Sequence, residues 1–274
     1  MLSEIKFSVV MAVYKNDNID HFQSAINSIL NQTLPPSEVI IYIDGPVGND
    51  FQTFFDNFNN IIPTIFIKND VNRGPGFARH AAIISASYDI IAIMDSDDIS
   101  VSSRFELQIN FMHRYNLDVV GSFIDEFDLL LESPNSIRKV PLFHAEIVNY
   151  CKWRNPMNHV SVMFKKNLYL NAGGYPFTRV AEDHELFYRM LKNGALFGNI
   201  NEVLVHVRSG FSLLTRRRGL KYLALEMRFI KLMYDEGFLN LTQLIVNFLI
   251  RALARLCPRF LLSLIYKYFL RKQA

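Results

Sequence analysis

A hydrophobic run that ends in three carboxylates constrains this chain more than any other feature. Residues 90–94 read Ile-Ile-Ala-Ile-Met, and Asp95, Asp97 and Asp98 follow almost at once. Carboxylates held this close repel one another and resist ionisation unless they share a cation. Ligation by carboxylates suits the hard ions Mg²⁺ and Mn²⁺. The run therefore predicts a buried strand with a metal site at its end, and the alternative is a solvated acidic turn that caps the next helix.

Apolar runs of strand length alternate with stretches of helical spacing over the first hundred residues. Short apolar runs rich in β-branched residues are typical of strands that are buried on both faces. Alternation of strands and helices predicts an α/β fold, with a mostly parallel sheet flanked by helices. The predicted strands are residues 7–13, 39–43, 61–67 and 90–94, and the predicted helices are residues 19–31, 51–58 and 78–87.

Polar groups stand at the ends of three of these strands. Tyr14 follows the first strand, Asp44 ends the second, and Asp95 with Asp97 follows the fourth. In open sheets of this kind, ligands bind beyond the carboxyl ends of the strands. The topology therefore predicts a crevice of nucleotide size at this end of the sheet. By itself, the pair Asp44 and Gly45 is also typical of a simple turn.

A glycine-rich loop precedes the third predicted helix. It contains Asn72, Gly74 and Gly76, and Arg79 lies one turn into the helix. Glycine lets the backbone approach a phosphate, and the free N–H groups at a helix start favour anions. The loop lacks the spacing of a Walker or dinucleotide-binding motif, so a phosphate contact and a purely structural turn both stay open.

A second acidic pair, Glu182 and Asp183, lies at the start of a stretch with helical spacing of apolar residues. A carboxylate at the mouth of a site can act as a general base toward an acceptor hydroxyl. The same residues can equally cap the helix and interact with its dipole. Upstream, residues 155–164 read as a polar turn that enters a strand, and there His159 is either a sugar contact or a structural histidine.

The composition excludes several classes of protein. The formal net charge of the 274 residues is only +3, which argues against wholesale nucleic-acid binding. Cys151 and Cys257 lie far apart and match no metal-binding spacing, which fits a reduced, cytoplasmic protein. We expect no signal peptide, and no apolar run reaches the ~18–20 residues that a membrane span requires. The sequence leaves the oligomeric state open.

Residues 216–274 differ in character from residues 1–215, and we predict that they form a separate helical region. Arg216 opens a run of three arginines, and no acidic residue occurs after Glu236. A narrow basic stripe on an apolar helix is typical of an interfacial membrane helix. The alternative is a pair of helices whose apolar faces pack on the rest of the chain or on a second subunit. The stripe recurs at every fourth position as Gln243, Asn247, Arg251, Arg255, Arg259, Ser263, Lys267 and Arg271.

Taken in order, these segments resemble the family-2 inverting glycosyltransferases of the GT-A fold. The matching segments are residues 8–14, the strand ending in Asp44, residues 72–79, residues 95–98 and residues 182–183. Residues 158–164, 173–175 and 206–210 resemble a branch of bacterial enzymes that build surface polysaccharides. The resemblance implies a GT-A-like, Rossmann-type domain over residues 1–215, followed by an amphipathic helical tail.

The resemblance also implies roles for individual residues. Asp183 would be the general base, and Glu182 would contact the sugar or the acceptor. Trp153, His159 and Arg216 are weaker predictions for the acceptor side. Asp95 and Asp97 would be the metal-binding DxD pair. The donor nucleotide would lie on Val13, Tyr14, Asp44, Asn72, Gly74, Arg79, Asp95 and Asp97.

The implied reaction moves a sugar, by default from a UDP-hexose, to a hydroxyl of a lipid-linked saccharide in O-antigen, capsule or exopolysaccharide assembly. Mn²⁺ or Mg²⁺ would neutralise the diphosphate, and the tail would hold the enzyme on the inner face of the cytoplasmic membrane. Two other classes stay open from the residues alone. A nucleotidyltransferase would more often carry glycine in the loop at residues 14–18, which has none. A non-catalytic membrane adaptor would leave both acidic sites unexplained.

Overall fold

The computed structural model describes residues 5–127, 136–176, 180–208 and 219–256, which form an α/β fold. The strands are β1 (Phe7–Val13), β2 (Glu38–Asp44), β3 (Thr64–Asn69), β4 (Ile90–Ile93), β5 (Ile99–Ser100), β6 (Val119–Phe127), β7 (Ser136–Arg138), β8 (Met163–Lys165) and β9 (Phe197–Arg208). The helices are α1 (Ile19–Leu30), α2 (Asn49–Asn57), α3 (Pro75–Ser85), α4 (Arg104–Tyr115), α5 (His144–Cys151), α6 (Lys166–Asn171), α7 (Glu182–Lys192), α8 (Leu220–Asp235) and α9 (Leu241–Leu256). The described strands form one sheet in the order β3-β2-β1-β4-β8-β6-β9-β5, with β7 beside β6.

The first four strands pair in parallel, as the alternation of strands and helices predicted. β1 lies between β2 and β4, so that Val13 pairs with Ile43 and Val10 pairs with Ile93. Beyond β4 the sheet is mixed, because β8 runs antiparallel to both β4 and β6 whereas β6 and β9 run parallel. This order brings the carboxyl ends of β1, β2 and β4 side by side.

Side chains of the central strands alternate between two cores, one on each face of the sheet. Val9 and Met11 pack with α1 and α4, whereas Val10 packs with α3 and α7. The alternation follows from the two-residue period of a strand. Phe229 and Ile230 of α8 join the core that contains Val10. Burial of each such apolar side chain stabilises the fold by about 1.5–3 kcal/mol.

The largest differences from the sequence-based element boundaries are the starts of β3 and α3. β3 begins at Thr64 rather than at residue 61, and Pro63, which has no N–H group to donate to the sheet, comes directly before it. α3 begins at Pro75 rather than at residue 78. Proline suits the first turn of a helix because its fixed φ is helical and its missing N–H would be unpaired there.

A fully buried arginine anchors the end of β4. The Arg104 side chain is 0% exposed. It donates to the Ile93 carbonyl at 2.7 Å, to Ser100 Oγ at 2.9 Å and to Gln108 Oε1 at 3.0 Å. Because Ile93 ends the strand that leads into the acidic motif, Arg104 fixes the position at which that motif begins.

The C-terminal helices pack against the rest of the protein and against each other. Arg255 of α9 forms a bidentate ion pair with Glu226 of α8, with both N···O distances at 2.7 Å. None of the helices that the structure describes is long and apolar enough to cross a membrane.

We expect Arg104→Met to lower the free energy of unfolding by about 2–4 kcal/mol, because buried acceptors lose their donor. Urea denaturation followed by circular dichroism measures this change. Arg114→Met, at the exposed end of the same helix, is the matched control and should change stability by less than ~0.5 kcal/mol. Equal effects of the two substitutions would contradict the anchoring role of Arg104.

Candidate functional site

The acidic motif after β4 and the glycine-rich loop before α3 meet at the ends of β1, β2 and β4. Tyr14 is 38% exposed at this position, whereas Val13 is 1% exposed and packs in the core. The predicted contact between Val13 and a nucleobase would therefore have to use the backbone of this residue rather than its side chain.

Asp44 organises the glycine-rich loop. Its carboxylate accepts hydrogen bonds from the backbone N–H groups of Arg73 and Gly74, each at 2.8 Å, and Asn72 Nδ2 donates to its carbonyl at 3.0 Å. Gly74 has a φ of 95°, in the left-handed region that favours glycine. Asp44 is 4% exposed, so these hydrogen bonds fix the loop against the end of β2.

Arg79 joins the two acidic motifs, which lie far apart in the sequence. Its Nη2 lies 2.7 Å from Asp95 Oδ1, and its Nη1 lies 3.7 Å from Glu182 Oε1. α3 and α7 approach so closely that a Cβ atom at Gly76 would lie 2.7 Å from Glu182 Oε2. Burial raises the pKa of Asp95, but Arg79, followed by other nearby groups such as Arg104, lowers it overall. The two motifs therefore belong to one site that is built around one cation.

Asp97 lies in an excess of negative charge. Burial, together with the charges of Asp95 and Asp17, raises the pKa of Asp97 to about 6. Asp17 Oδ2 accepts hydrogen bonds from the Tyr14 N–H at 3.1 Å and from Ser96 Oγ at 2.9 Å. Sequence reasoning did not select Asp17, although a carboxylate in the loop directly after a predicted strand was an available signal. Three carboxylates from two strand ends thus influence one another.

This excess of negative charge suits a divalent cation, with Asp97 and Asp95 as the predicted ligands. Asp97 has more oxygen lone pairs available for a cation than Asp95, because Asp95 is already paired with Arg79. In the part of the chain that the structure describes, no group of three or more His, Cys, Asp or Glu residues is arranged to hold a metal. Mg²⁺ commonly takes only one or two protein carboxylates and completes its shell with substrate phosphates and water. The residues fit a partial site of that kind.

Asp98 has a structural role. It is 2% exposed, and its Oδ1 accepts the backbone N–H of Arg208 at 3.0 Å. Burial and the charges of Asp95 and Asp97 raise the pKa of Asp98 well above its usual range. Arg208 Nε also donates to the Asp97 carbonyl at 3.3 Å. Arg208, which sequence reasoning did not select, thus ties the end of β9 to the acidic motif and brings a cation close to it.

Asp183 lies in the first turn of α7, and donors hold both of its oxygens. Asn155 Nδ2 donates to Oδ2 at 2.6 Å, and the His184 N–H donates to Oδ1 at 2.9 Å. Burial raises the pKa of Asp183, but the nearby His159 and His184, this N–H group and Arg138 together lower it overall. The carboxylate is therefore ionised at neutral pH, as a general base must be. Ala181, the residue directly before α7, has a φ of 55°, and strained backbone of this kind concentrates at functional sites.

The three weaker predictions for the acceptor side have different outcomes. His159 Nε2 lies 2.7 Å from the Tyr175 hydroxyl, and burial lowers the pKa of His159 to about 4. His159 is therefore neutral at pH 7, and its hydrogen bond matches the structural alternative. Trp153 accepts a hydrogen bond at its carbonyl from Arg251 Nη2 at 3.1 Å. Arg216 lies outside the described residues.

Comparisons with known proteins identify the family and the fold of this chain. The sequence profile described as Glycosyl transferase family 2 matches residues 8–169. The chain is 32% identical to an uncharacterized glycosyltransferase of Haemophilus influenzae over 98% of this chain and 100% of that protein. It is 32% identical to the UDP-Gal:alpha-D-GlcNAc-diphosphoundecaprenol beta-1,3-galactosyltransferase of Escherichia coli, over 97% of each chain. It is 29% identical to the amylovoran biosynthesis glycosyltransferase AmsE of Erwinia amylovora, over 95% of this chain and 98% of that protein.

Among solved structures, S. aureus TarS 1-349 in complex with UDP-GlcNAc matches with a TM-score of 0.69, over 91% of this chain and 73% of that one. The sequence identity is 17%, so this likeness concerns the fold. The chain belongs to glycosyl transferase family 2, and its fold is of the GT-A type. The predicted family and fold class are both confirmed.

Asp97→Asn should raise the melting temperature of the metal-free protein at pH 8 by roughly 2–4 °C, because it removes a carboxylate whose ionisation the fold opposes. The pKa of Asp97 is raised from 3.8 to about 6 on folding, so the folded state retains this proton more tightly than the unfolded chain. The loss of folding stability that ionised Asp97 causes is therefore complete at a pH above the pKa of the folded state. It disappears as the pH falls to the pKa of the unfolded chain. Scanning fluorimetry in EDTA at pH 8 and near pH 4 measures both limits.

The exposed Asp70 provides the matched control for this experiment. Asp70→Asn should leave the melting temperature unchanged to within about 1 °C at both pH values. Stabilisation by Asp97→Asn that is equal at the two pH values, or destabilisation at pH 8, would contradict the interpretation.

Proposed function

We propose that this chain transfers a hexose from a UDP-sugar to a hydroxyl of a lipid-linked saccharide, with inversion and with Mn²⁺ or Mg²⁺, in surface-polysaccharide assembly. The observation that carries the proposal is the bridge from Asp95 through Arg79 to Glu182. It links the acidic motif that would hold a metal ion and, through it, a nucleotide diphosphate to the acidic pair that contains Asp183. Two comparisons support the substrates: one relative is named for UDP-Gal and a diphosphoundecaprenol acceptor, and the TarS structure holds UDP-GlcNAc.

The donor would lie across the carboxyl ends of β1, β2 and β4. Its base would lie near Tyr14 and Asp44, and its diphosphate would lie near Asp97. A divalent cation bound by Asp97 and Asp95 would neutralise the diphosphate and make it a better leaving group. Arg208, which donates to the Asp97 carbonyl, supplies a fixed positive charge on the same side.

Asp183 would remove the proton of the acceptor hydroxyl while that oxygen attacks the anomeric carbon from the face opposite the diphosphate. A single displacement inverts the configuration, by the logic of inverting glycosidases with an alcohol in place of water. Asn155 and the His184 N–H each engage one oxygen of the base. They orient the carboxylate and leave further lone pairs for the acceptor.

We infer that the enzyme works at the inner face of the cytoplasmic membrane and that α9 makes the contact. No acidic residue follows Glu236 in the sequence, so this end of the chain would not repel an anionic bilayer. Asn247, Arg251 and Arg255 of α9 contact the rest of the protein, which leaves an apolar outer face. That face consists of Leu241, Ile245, Phe248, Leu249, Ile250, Leu253 and Leu256, which are each 46–61% exposed.

Asp183→Asn should lower kcat by roughly 10²–10⁴-fold and leave donor affinity within about twofold, because it removes the base but not the nucleotide site. A donor screen with Mn²⁺ and Mg²⁺ that follows UDP release measures turnover, and calorimetry measures donor binding. Asp235→Asn, at an exposed carboxylate of α8, is the control and should retain turnover. Full turnover of Asp183→Asn would contradict the base assignment, and a wild-type chain that transfers no sugar would contradict the reaction.

The membrane contact predicts that the full chain floats with vesicles of phosphatidylethanolamine and phosphatidylglycerol. Leu249→Gln combined with Leu253→Gln should abolish flotation, because both side chains belong to the outer face of α9. Ile61→Gln combined with Ile65→Gln removes two exposed apolar side chains elsewhere and should float like the wild type. A wild-type chain that stays at the bottom of the gradient would contradict the proposed contact.

A further inference from the structure

The polar residues of α9 bind to the end of α5. Asn247 is 0% exposed, and its Nδ2 donates to the Lys152 carbonyl at 3.0 Å. Arg251 donates from Nη2 to the Trp153 carbonyl at 3.1 Å, and from Nη1 to Asn247 Oδ1 at 2.7 Å. Two side chains of the C-terminal helix thus hold two consecutive carbonyls of a segment that lies far away in the sequence.

The Lys152 and Trp153 carbonyls lie directly after the last residue of α5, where carbonyls no longer find N–H partners within the helix. A cation such as Arg251 is also favoured at the negative end of the helix dipole. The preceding carbonyl, that of Cys151, accepts a hydrogen bond from His184 Nε2 at 2.8 Å. Three consecutive carbonyls, at the last residue of α5 and the two residues after it, therefore each receive a side-chain donor from α7 or α9.

The same segment continues directly to the proposed base. Asn155 follows Trp153 by two residues, and its Nδ2 donates to Asp183 Oδ2 at 2.6 Å. Its Oδ1 accepts the Met157 N–H at 3.1 Å, which orients the amide group. Hydrogen bonds from α9 to the Lys152 and Trp153 carbonyls, the backbone from Trp153 to Asn155, and the Asn155 hydrogen bond to Asp183 thus connect α9 to the carboxylate.

We propose that Asn247 and Arg251 are positioning residues for Asp183. They hold the segment at residues 152–155, and that segment presents the Asn155 amide to the carboxylate. The inference rests on the proposed function, because it takes Asp183 as the base. The C-terminal helix α9 is then part of the catalytic unit. Its inner side positions the Asp183 carboxylate, and its outer side is the surface proposed to contact the membrane.

The test compares Arg251→Gln and Asn155→Ala with Arg255→Gln, all in the full chain. Arg255 lies one turn beyond Arg251 on the same helix, but it pairs with Glu226 of α8. The control therefore removes an inward-facing arginine by the same substitution without removing a donor to α5. Each variant is assayed for kcat, for donor affinity by calorimetry, and for the pH dependence of kcat/KM.

Arg251→Gln and Asn155→Ala should lower kcat by about 10–100-fold, which is the cost of a misplaced catalytic group, with donor affinity unchanged. Loss of the Asn155 hydrogen bond should also raise the pKa of Asp183, because that bond favours the ionised form. A general base loses activity as the pH falls through its pKa. The acid limb, which is the fall of kcat/KM at low pH, should therefore move to higher pH. Arg251→Lys keeps a donor and should restore most of the wild-type profile.

Arg255→Gln should lower thermal stability and leave the acid limb where the wild type has it. If Arg251→Gln does not fold, Asn155→Ala and Arg251→Lys are compared with Arg255→Gln instead. An Arg251→Gln variant with the kcat and acid limb of the wild type, or an acid limb that moves equally in Arg255→Gln, would overturn the proposal. A wild-type enzyme without transferase activity would overturn the proposed function instead, so the two failures are distinguishable.

Discussion

The Arg79 guanidinium holds two acidic motifs together at a separation that carboxylates alone would oppose. Its partners, Asp95 and Glu182, come from the end of a central strand and from the start of a helix on one face of the sheet. All three side chains are largely shielded from water, with 16–26% of their surface exposed, so their attraction is screened less than at the surface. Removal of one partner from a pair of this kind leaves a shielded charge without compensation, which is strongly destabilising. The site therefore depends on this cation before any substrate is bound.

The carboxylates of the site divide into two groups according to what holds their oxygens. Asp44 and Asp98 accept backbone N–H groups and thereby fasten a loop and a strand end. Asp97 lies among like charges, and Asp183 is oriented by two donors while it stays ionised. The first pair shapes the crevice and the second pair suits chemistry, although all four residues are the same amino acid. Environment, rather than residue type, separates the two roles.

The orientation of α9 shows a limit of hydrophobic patterning. The spacing correctly placed Asn247, Arg251 and Arg255 on one stripe, but this stripe faces the protein and the apolar side faces outward. Amphipathicity identifies two faces and leaves open which one is turned inward. Here the inward face is polar because the carbonyls at the end of α5 and the carboxylate of Glu226 need donors. A buried polar stripe and an exposed apolar one are both stable only if each has a suitable partner.

Local pattern alone determined the α/β class, the first four parallel strands, the strand-end position of Asp44 and Asp95, and the family. These features follow from the period of apolar residues and from the order of motifs, which can both be read along a single chain. The antiparallel insertion of β8 between β4 and β6 was not readable in this way, because pairing between distant strands depends on the whole sheet. Only the tertiary structure decided which side chains meet, since partners separated by tens of residues leave no signature in one sequence. Those meetings are Arg79 with Glu182, Asp17 with Ser96, Arg208 with Asp98, and Asn155 with Asp183.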